Sequence, residues 1–294
     1  MTQKGILQTA QEQLATDLNC SPEDLMNEKD TFVFTEVKNN PGRRPFPRDE
    51  RHFEMATMGR AIVITATPDI LHIIKPMLDG KSRDEAFAMP FVYSHTLAYL
   101  PDLKSLKPIT PPEGFEYEMV EQDGIPVLYA AKGFENAIQY DTNRPRPDTL
   151  VWLAKKDGKI VGMSGASIDC AKMWQVGIDI LPGYRNNNLA AYLVTQLTLE
   201  ILNRGYVPYY CTSVSNVASQ RVAHRSGYAP AWACAFKGIE AQFDLNDGAF
   251  TKGALPSRQA SAHPILKVRL NCVDFCGNAR KYRRSLPIRQ ARRC

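Results

Sequence analysis

Leu189, Leu193, Leu197 and Ile201 recur at steps of four along residues 187–204, and Gly205 follows as a stop, so this stretch predicts a long helix. Residues 3–18 also have a helical pattern. Ser21-Pro22-Glu23-Asp24 reads as a second helix start, with a capping hydroxyl, proline at the first position and acids in the first turn. β-rich runs fall at 31–37 and 61–66, and 68–78 reads as helix. Further on, 115–121 alternates like a strand, 125–140 carries helical signals interrupted at Gly133, and 150–155 is β-rich. Asp157-Gly158 predicts a hairpin turn, because both residues tolerate positive φ. Strands follow at 159–168, 173–181, 209–214 and 231–236, with a short helix at 218–225. Past residue 243 the periodicity fades. Only 265–270 reads as an isolated strand there, and the rest as disorder.

Pro101, Pro108, Pro111 and Pro112 break helix and strand alike, since each fixes φ and removes a backbone donor. A domain boundary is expected there. The chain then divides into an N-terminal mixed α/β domain (1–112), a second domain (113–242) and a tail (243–294). Residues 39–51 read as a solvated loop, with phosphate contact by Arg43, Arg44 and Arg48 as the alternative.

Composition narrows the class. The 294 residues are 44% hydrophobic and 23% charged, which excludes a coiled-coil, collagenous or disordered chain. No run is apolar enough to span a membrane, and the first residues lack the layout of a signal peptide, so a cytoplasmic protein is expected. The seven cysteines read as free thiols, and Cys272 and Cys276 as two unrelated residues rather than a metal half-site; no metal is expected. The net charge is +5, but residues 251–294 hold eleven lysines and arginines against one acid, a net +10 that leaves −5 for residues 1–250.

Two segments carry chemistry. The first is the strand, turn and helix from Val176 to Ala190, with Arg185-Asn186-Asn187-Asn188 in the turn. A turn feeding directly into a helix presents unpaired N–H groups and the positive end of the helix dipole, which suit a diphosphate. Asn tolerates left-handed backbone nearly as well as Gly. Plain helix capping needs the same residues, so the turn alone leaves both roles open. The second segment runs from Ser215 to Tyr228, where Asn216, Ser219 and Ala223 share one helical face.

In this order and spacing the two segments resemble the GNAT superfamily of N-acetyltransferases over about residues 113–242. The family's phosphate loop, Arg or Gln, two residues, Gly, one residue, then Gly or Ala, is matched by Arg185 and Ala190, with Asn188 in place of the glycine; Pro182 stands at the end of the preceding strand. The second family motif is met by Asn216, Ser219, Gly227 and Tyr228, and Ser219 is similar to the serine of ribosomal-protein N-terminal acetyltransferases. The resemblance implies an α/β (α+β) fold, a mixed, mostly antiparallel sheet with splayed central strands flanked by helices, plus the N-terminal α/β domain. It implies acetyl-CoA as cosubstrate in a V-shaped gap between the 173–181 and 209–214 strands. Backbone groups at Ile178 and Ile180 would meet the pantetheine arm, and amides from Arg185, Asn186, Asn187, Asn188, Leu189 and Ala190 the diphosphate, with Asn216 and Ser219 on the second motif's side.

The family's tyrosine seven residues after the motif asparagine is Ala223 here, so Ser219 is the implied helper of the leaving thiolate, with Tyr228 the alternative donor. Asp179 is the candidate base, although alternation leaves its direction open; His224 reads as exposed. At pH 7 an α-amine is ~15% neutral and a lysine only ~0.04%. A weak base therefore tilts the acceptor toward an α-amine or a small-molecule amine. The expected function is transfer of an acetyl group to a primary amine by direct attack on the thioester. The alternatives are a non-catalytic acyl-CoA sensor and a nucleic-acid binder acting through the tail, against which the acidic body argues. Acceptor identity and oligomeric state are not encoded in any motif.

Overall fold

The computed structural model describes residues 1–46, 48, 51–185 and 187–238. The tail from 243, with its expected disorder and its 265–270 strand, lies outside the described residues, as does Asn186. Helix α1 (Gln3–Leu18) starts where Thr2 Oγ1 accepts from Gly5 N–H and ends at Asn19, left-handed at φ 55°. Its buried stripe, Ile6, Ala10, Leu14 and Leu18, keeps a four-residue step. Helix α2 (Pro22–Met26) is fixed by a reciprocal capping box between Ser21 and Asp24. Then come β1 (Phe32–Glu36), β2 (His52–Thr57), β3 (Ile62–Ala66), α3 (Pro68–Leu78), α4 (Arg83–Phe87) and β4 (Thr96–Pro101).

The second half holds β5 (Glu116–Glu121), α5 (Ile125–Leu128), β6 (Asp148–Lys156), β7 (Lys159–Ile168), β8 (Met173–Ile180), α6 (Leu189–Asn203), β9 (Val207–Ser213), α7 (Val217–Arg225) and β10 (Tyr228–Gly238). Asp157 and Gly158 turn the β6–β7 hairpin at φ 51° and 72°. The helix expected over 125–140 stops at Leu128. Gly133 takes φ 92°, and residues 134–138 instead cross the β7–β8 hairpin, held there by hydrogen bonds described below.

All ten strands join one sheet in the order β1-β3-β2-β10-β4-β9-β8-β7-β6-β5. The described pairs are antiparallel except β1–β3 and β8–β9. The sheet is thus mixed and mostly antiparallel, with helices on its faces. It runs through the proline-rich boundary: β4, which ends at the first of these prolines, lies between β9 and β10, which follow them all, with Ala98 opposite Cys211 and Leu100 opposite Ala229. Helix α1 packs its stripe on one face against Ala98, Tyr209, Cys211 and Trp232. On the other face α6 and α7 bury Val194, Leu197, Ile201 and Ala223 against Tyr99, Val176 and Tyr210. Each fully buried Leu or Ile side chain stabilises this arrangement by about 1.5–3 kcal/mol.

One interruption matters for the site. Strands β8 and β9 pair from Met173↔Val207 to Val176↔Tyr210, and no later pair forms between them among the described residues. Beyond that point β8 stays with β7 as far as Gly162↔Ile180, while β9 stays with β4 as far as Thr96↔Ser213. Past Val176↔Tyr210 each strand keeps only its outer neighbour, and the sheet opens between β8 and β9.

Candidate active site

The opening is a cavity of about 800 Å³ that runs from the start of α6, past the end of the β8–β9 ladder, to the segments at 135–148. Ile178 and Ile180 line one wall, Tyr210 and Thr212 the other, and Asn216 and Ser219 approach from α7. The described sequence-predicted residues therefore meet around one gap, apart from Tyr228, which does not line it.

At its α6 end the chain makes a 3-10 turn, Pro182–Tyr184, and Arg185 Nε donates back to Ile180 O at 3.0 Å. Asn188 then adopts φ 65°, ψ 5°, the left-handed geometry that favours Gly and Asn. Its own side chain makes no cap bond; Asn187 Oδ1 instead accepts from Leu189 N–H at 3.2 Å. The first-turn amides of a helix lack intrahelical acceptors, and α6 has no acid in its first turn to offset the positive end of its dipole. Arg185, Arg221 and Arg225 also line the cavity and add positive charge to it. Such a cradle fits a diphosphate.

At the ladder's end, Tyr210 Oη and Ser219 Oγ share a hydrogen bond of 2.6 Å. Asn216 caps α7, its Oδ1 accepting from Ser219 N–H at 3.1 Å, and so fixes where Ser219 stands. Tyr228, the first residue of β10, is buried against α6. Its hydroxyl lies 2.7 Å from Thr198 Oγ1, which itself donates to Val194 O. Burial pushes the Tyr228 phenol well up, more than the Thr198 bond draws it down. His224 is exposed and meets the ring of Tyr99 edge-on.

Asp179 points to the face where residues 134–138 cross. Its oxygens accept from Asn136 N–H (2.6 Å), Asn136 Nδ2 (2.6 Å) and Ala137 N–H (3.2 Å). Burial raises its pKa and these bonds oppose the rise. The crossing is close: a Cβ on Gly177 would stand 1.8 Å from Asn136 O, and one on Gly165 2.0 Å from Ala137 O. Only glycine fits at either position.

Sequence reasoning missed the far end of the cavity. Arg146, 6% exposed, donates from Nη1 to Gln175 Oε1 at 3.0 Å, stands 3.6 Å from Asp169 Oδ1 and covers the ring of Phe46. Asp169 also accepts from Ser167 Oγ (2.8 Å) and from Tyr209 Oη. Burial is the larger influence on its carboxyl and pushes the pKa up, against Arg146. Arg44, expected in a solvated loop, is 2% exposed and paired with Asp17 at 2.5 Å, between the rings of Phe46 and Tyr209. A buried guanidinium needs both a counter-ion and donor satisfaction, and α1 supplies the ion. The segment around 44–46 thus forms part of the base on which Arg146 rests. Only the Arg-rich composition of that loop hinted at it.

Among the described residues no cluster of His, Cys, Asp or Glu could hold a metal ion, and no helix is long and apolar enough to cross a membrane.

Residues 117–228 match the family model described as the acetyltransferase (GNAT) family. Solved structures similar to the chain include a GNAT-family acetyltransferase from Novosphingobium aromaticivorans (19% identity, TM-score 0.39, covering 50% of this chain and 66% of that one). A GCN5-related N-acetyltransferase from Kribbella flavida is 17% identical (TM-score 0.37, 49% and 58%). One from Sphaerobacter thermophilus is 14% identical (TM-score 0.40, 53% and 57%). The chain thus spans between just over half and about two thirds of the length of these proteins. No curated protein matches it.

Proposed function

We propose, from the match of residues 117–228 to the acetyltransferase (GNAT) family model, that the protein is an acetyl-CoA-dependent N-acyltransferase acting on a primary amine. The observation that carries this reading is the parting of β8 from β9 after Val176↔Tyr210, with a helix-start anion cradle at one end and a hydroxyl pair at its apex. In this reading the diphosphate meets the amides and side chains from Arg185 to Ala190. The pantetheine arm follows the edge of β8 at Ile178 and Ile180 and brings the thioester to Tyr210 and Ser219, close to Asn216. The neutral amine attacks the carbonyl carbon, a C–N bond forms, the C–S bond breaks, and the hydroxyls beside the sulfur, Ser219 among them, assist the thiolate.

Asp179 serves as the base only if its carboxylate lets go of Asn136 and Ala137, which favours acceptors that carry little proton at neutral pH. The bonded state of Asp179 also supports the second reading, an acyl-CoA sensor without turnover. The acceptor reaches the thioester past Glu135, Arg144 and Arg146, a polar approach that suits a small soluble amine in the cytoplasm.

The test is a thermal-shift titration with CoA and acetyl-CoA followed by mass spectrometry of an amine panel. A ligand bound only by the native state adds RT ln(1 + [L]/Kd), ~2.7 kcal/mol at a hundredfold excess over Kd. A shift with turnover supports the transferase; a shift without turnover on any amine supports the sensor; no shift at millimolar CoA rejects both.

A further inference from the structure

Glu135 lines the cavity from the segment that crosses the β7–β8 hairpin, and its backbone is fixed from the next residue on. Asn136 N–H and Nδ2 both donate to Asp179, and Asn136 O fills the space where Gly177 lacks a side chain, one residue past the last β8–β9 pair. Consecutive Cα atoms are ~3.8 Å apart. Glu135 is therefore held beside the point where the gap opens. It is exposed, and its carboxylate has no hydrogen bond or ion pair among the described residues. Its charge is still felt inside the cavity: burial raises the pKa of Asp179 and of the Tyr140 phenol, and Glu135 adds to both shifts. The cations nearby are already engaged. Arg144 Nε lies 3.6 Å from Asp141 Oδ2, and Arg146 lies 3.6 Å from Asp169 and donates to Gln175. Lys132 Nζ donates to Tyr129 O at 3.2 Å and covers the Tyr140 ring. A cavity end whose arginines face their own acids, with one carboxylate left over, attracts a cation.

We propose that Glu135 determines acceptor specificity by binding a second positive charge of the acceptor, which makes the acceptor class a diamine or polyamine rather than a simple monoamine or an amino acid. This rests on the transferase reading above. One nitrogen of the molecule reaches the thioester as the neutral amine, and the other, an ammonium, pairs with the carboxylate at 135. Hydrogen bonds from N⁺–H to a carboxylate are stronger than neutral ones, and the pair gains strength where bulk water is partly excluded. Two charges in one small molecule also repel, so the second ammonium makes the attacking amine less basic. With Asp179 occupied by Asn136 and Ala137, an amine that gives up its proton readily to solvent is the one able to react. Charge also keeps the two ligands apart. The α6 start, with Arg185, suits an anion and repels a polycation, whereas an acceptor carboxylate would meet Glu135 with like charge at the opening.

The experiment measures kcat/KM of the full chain, as wild type and Glu135→Gln, with 1,4-diaminobutane, butylamine and 4-aminobutanoate, each protein first being checked for a thermal shift with CoA. The informative quantity is the diaminobutane-to-butylamine ratio in wild type divided by the same ratio in the variant, because the acidities of the amines cancel in it. We expect this quotient to be about five, to come from KM for diaminobutane with kcat within about twofold, and to approach one as salt rises from about 0.01 M to about 1 M. Glu135→Asp, which keeps the charge, should restore most of the preference. A quotient of one at low salt, with butylamine turned over, overturns the proposal and leaves the transferase standing. So does a variant whose kcat falls equally on both amines, since Glu135 would then act on the reacting nitrogen. A wild type that prefers 4-aminobutanoate to butylamine is equally fatal, because Arg144 and Arg146 would then read the acceptor. Absence of turnover on these amines and on a wider panel rejects the transferase reading, and the proposal falls with it.

Discussion

Three N–H groups of Asn136 and Ala137 converge on Asp179, and the carbonyls of the same two residues stand where Gly177 and Gly165 lack side chains. Asp179→Ala would leave these donors without their acceptor, and each hydrogen bond to a charged group is worth ~1.5–3 kcal/mol. We expect a loss of about 2–4 kcal/mol in urea unfolding. Gly177→Ala should cost a further ~1–3 kcal/mol by forcing backbone apart. Stability unchanged in both variants would mean that the crossing segment is not fastened here. A neighbouring acid gives a pH test. Burial raises Asp148 above its ordinary 3.8, against bonds from Gln139 N–H and Tyr129 Oη. An acid with a raised folded-state pKa stabilises fully below its unfolded pKa and loses that contribution as pH rises through the folded one. The stability of wild type relative to Asp148→Asn should therefore fall as pH rises from about 3.8 through the raised folded-state value, and a constant difference would contradict the shift. Alternation places Asp179 on β8 but cannot tell which face the strand turns inward, and nothing local announces Asn136 as its partner 43 residues earlier. Asn188 was more legible, because left-handed geometry is written into the residue type itself.

At the scale of elements, the start of α6 joins backbone geometry to ligand chemistry. Proline fixes φ near −65° and has no N–H, so Asn188→Pro opposes the observed φ of 65° and deletes an amide of the cradle. Asn188→Gly keeps both. We expect the glycine variant to retain the CoA thermal shift and the proline variant to lose it; equal shifts would show that this turn does not hold the ligand. Elements with a single buried face were readable from pattern: α1 with its four-residue stripe, α6 with its leucines, and the β6–β7 hairpin from Asp157-Gly158. Those that escaped had no such contrast. Strand β4 is buried at nearly every position and ends in a proline that reads as a breaker, while β2 carries His52 and Glu54 in its interior. Tyr210 was unreadable for a different reason. Its place depends on which residue of β8 is the last to pair with it, a register set between strands separated by a whole helix.

For the whole molecule, the described sheet and the cavity are complete by Gly238, and β4 is locked between β9 and β10. Truncation after Phe250 should leave the CoA thermal shift intact, and loss of the shift would give the tail a structural part. Removal of residues 1–112 should abolish folding, because β9 and β10 lose the strand that joins them and Tyr209, Cys211 and Trp232 lose α1. A soluble 113–294 fragment with cooperative unfolding would refute this. The placement of β4 also sets an order in time. Leaving the ribosome, β4 has neither of its neighbours, and its last partner residue, Cys234, is made only after about another 130 residues, or ~6–25 s of synthesis at ordinary rates. Until β9 arrives the apolar strand waits with both edges bare, and until β10 arrives with one, able to pair with another nascent chain. The yield of native protein should then depend on how fast the second half arrives, with slow translation of residues 102–228 costing more of it than slow translation of the tail.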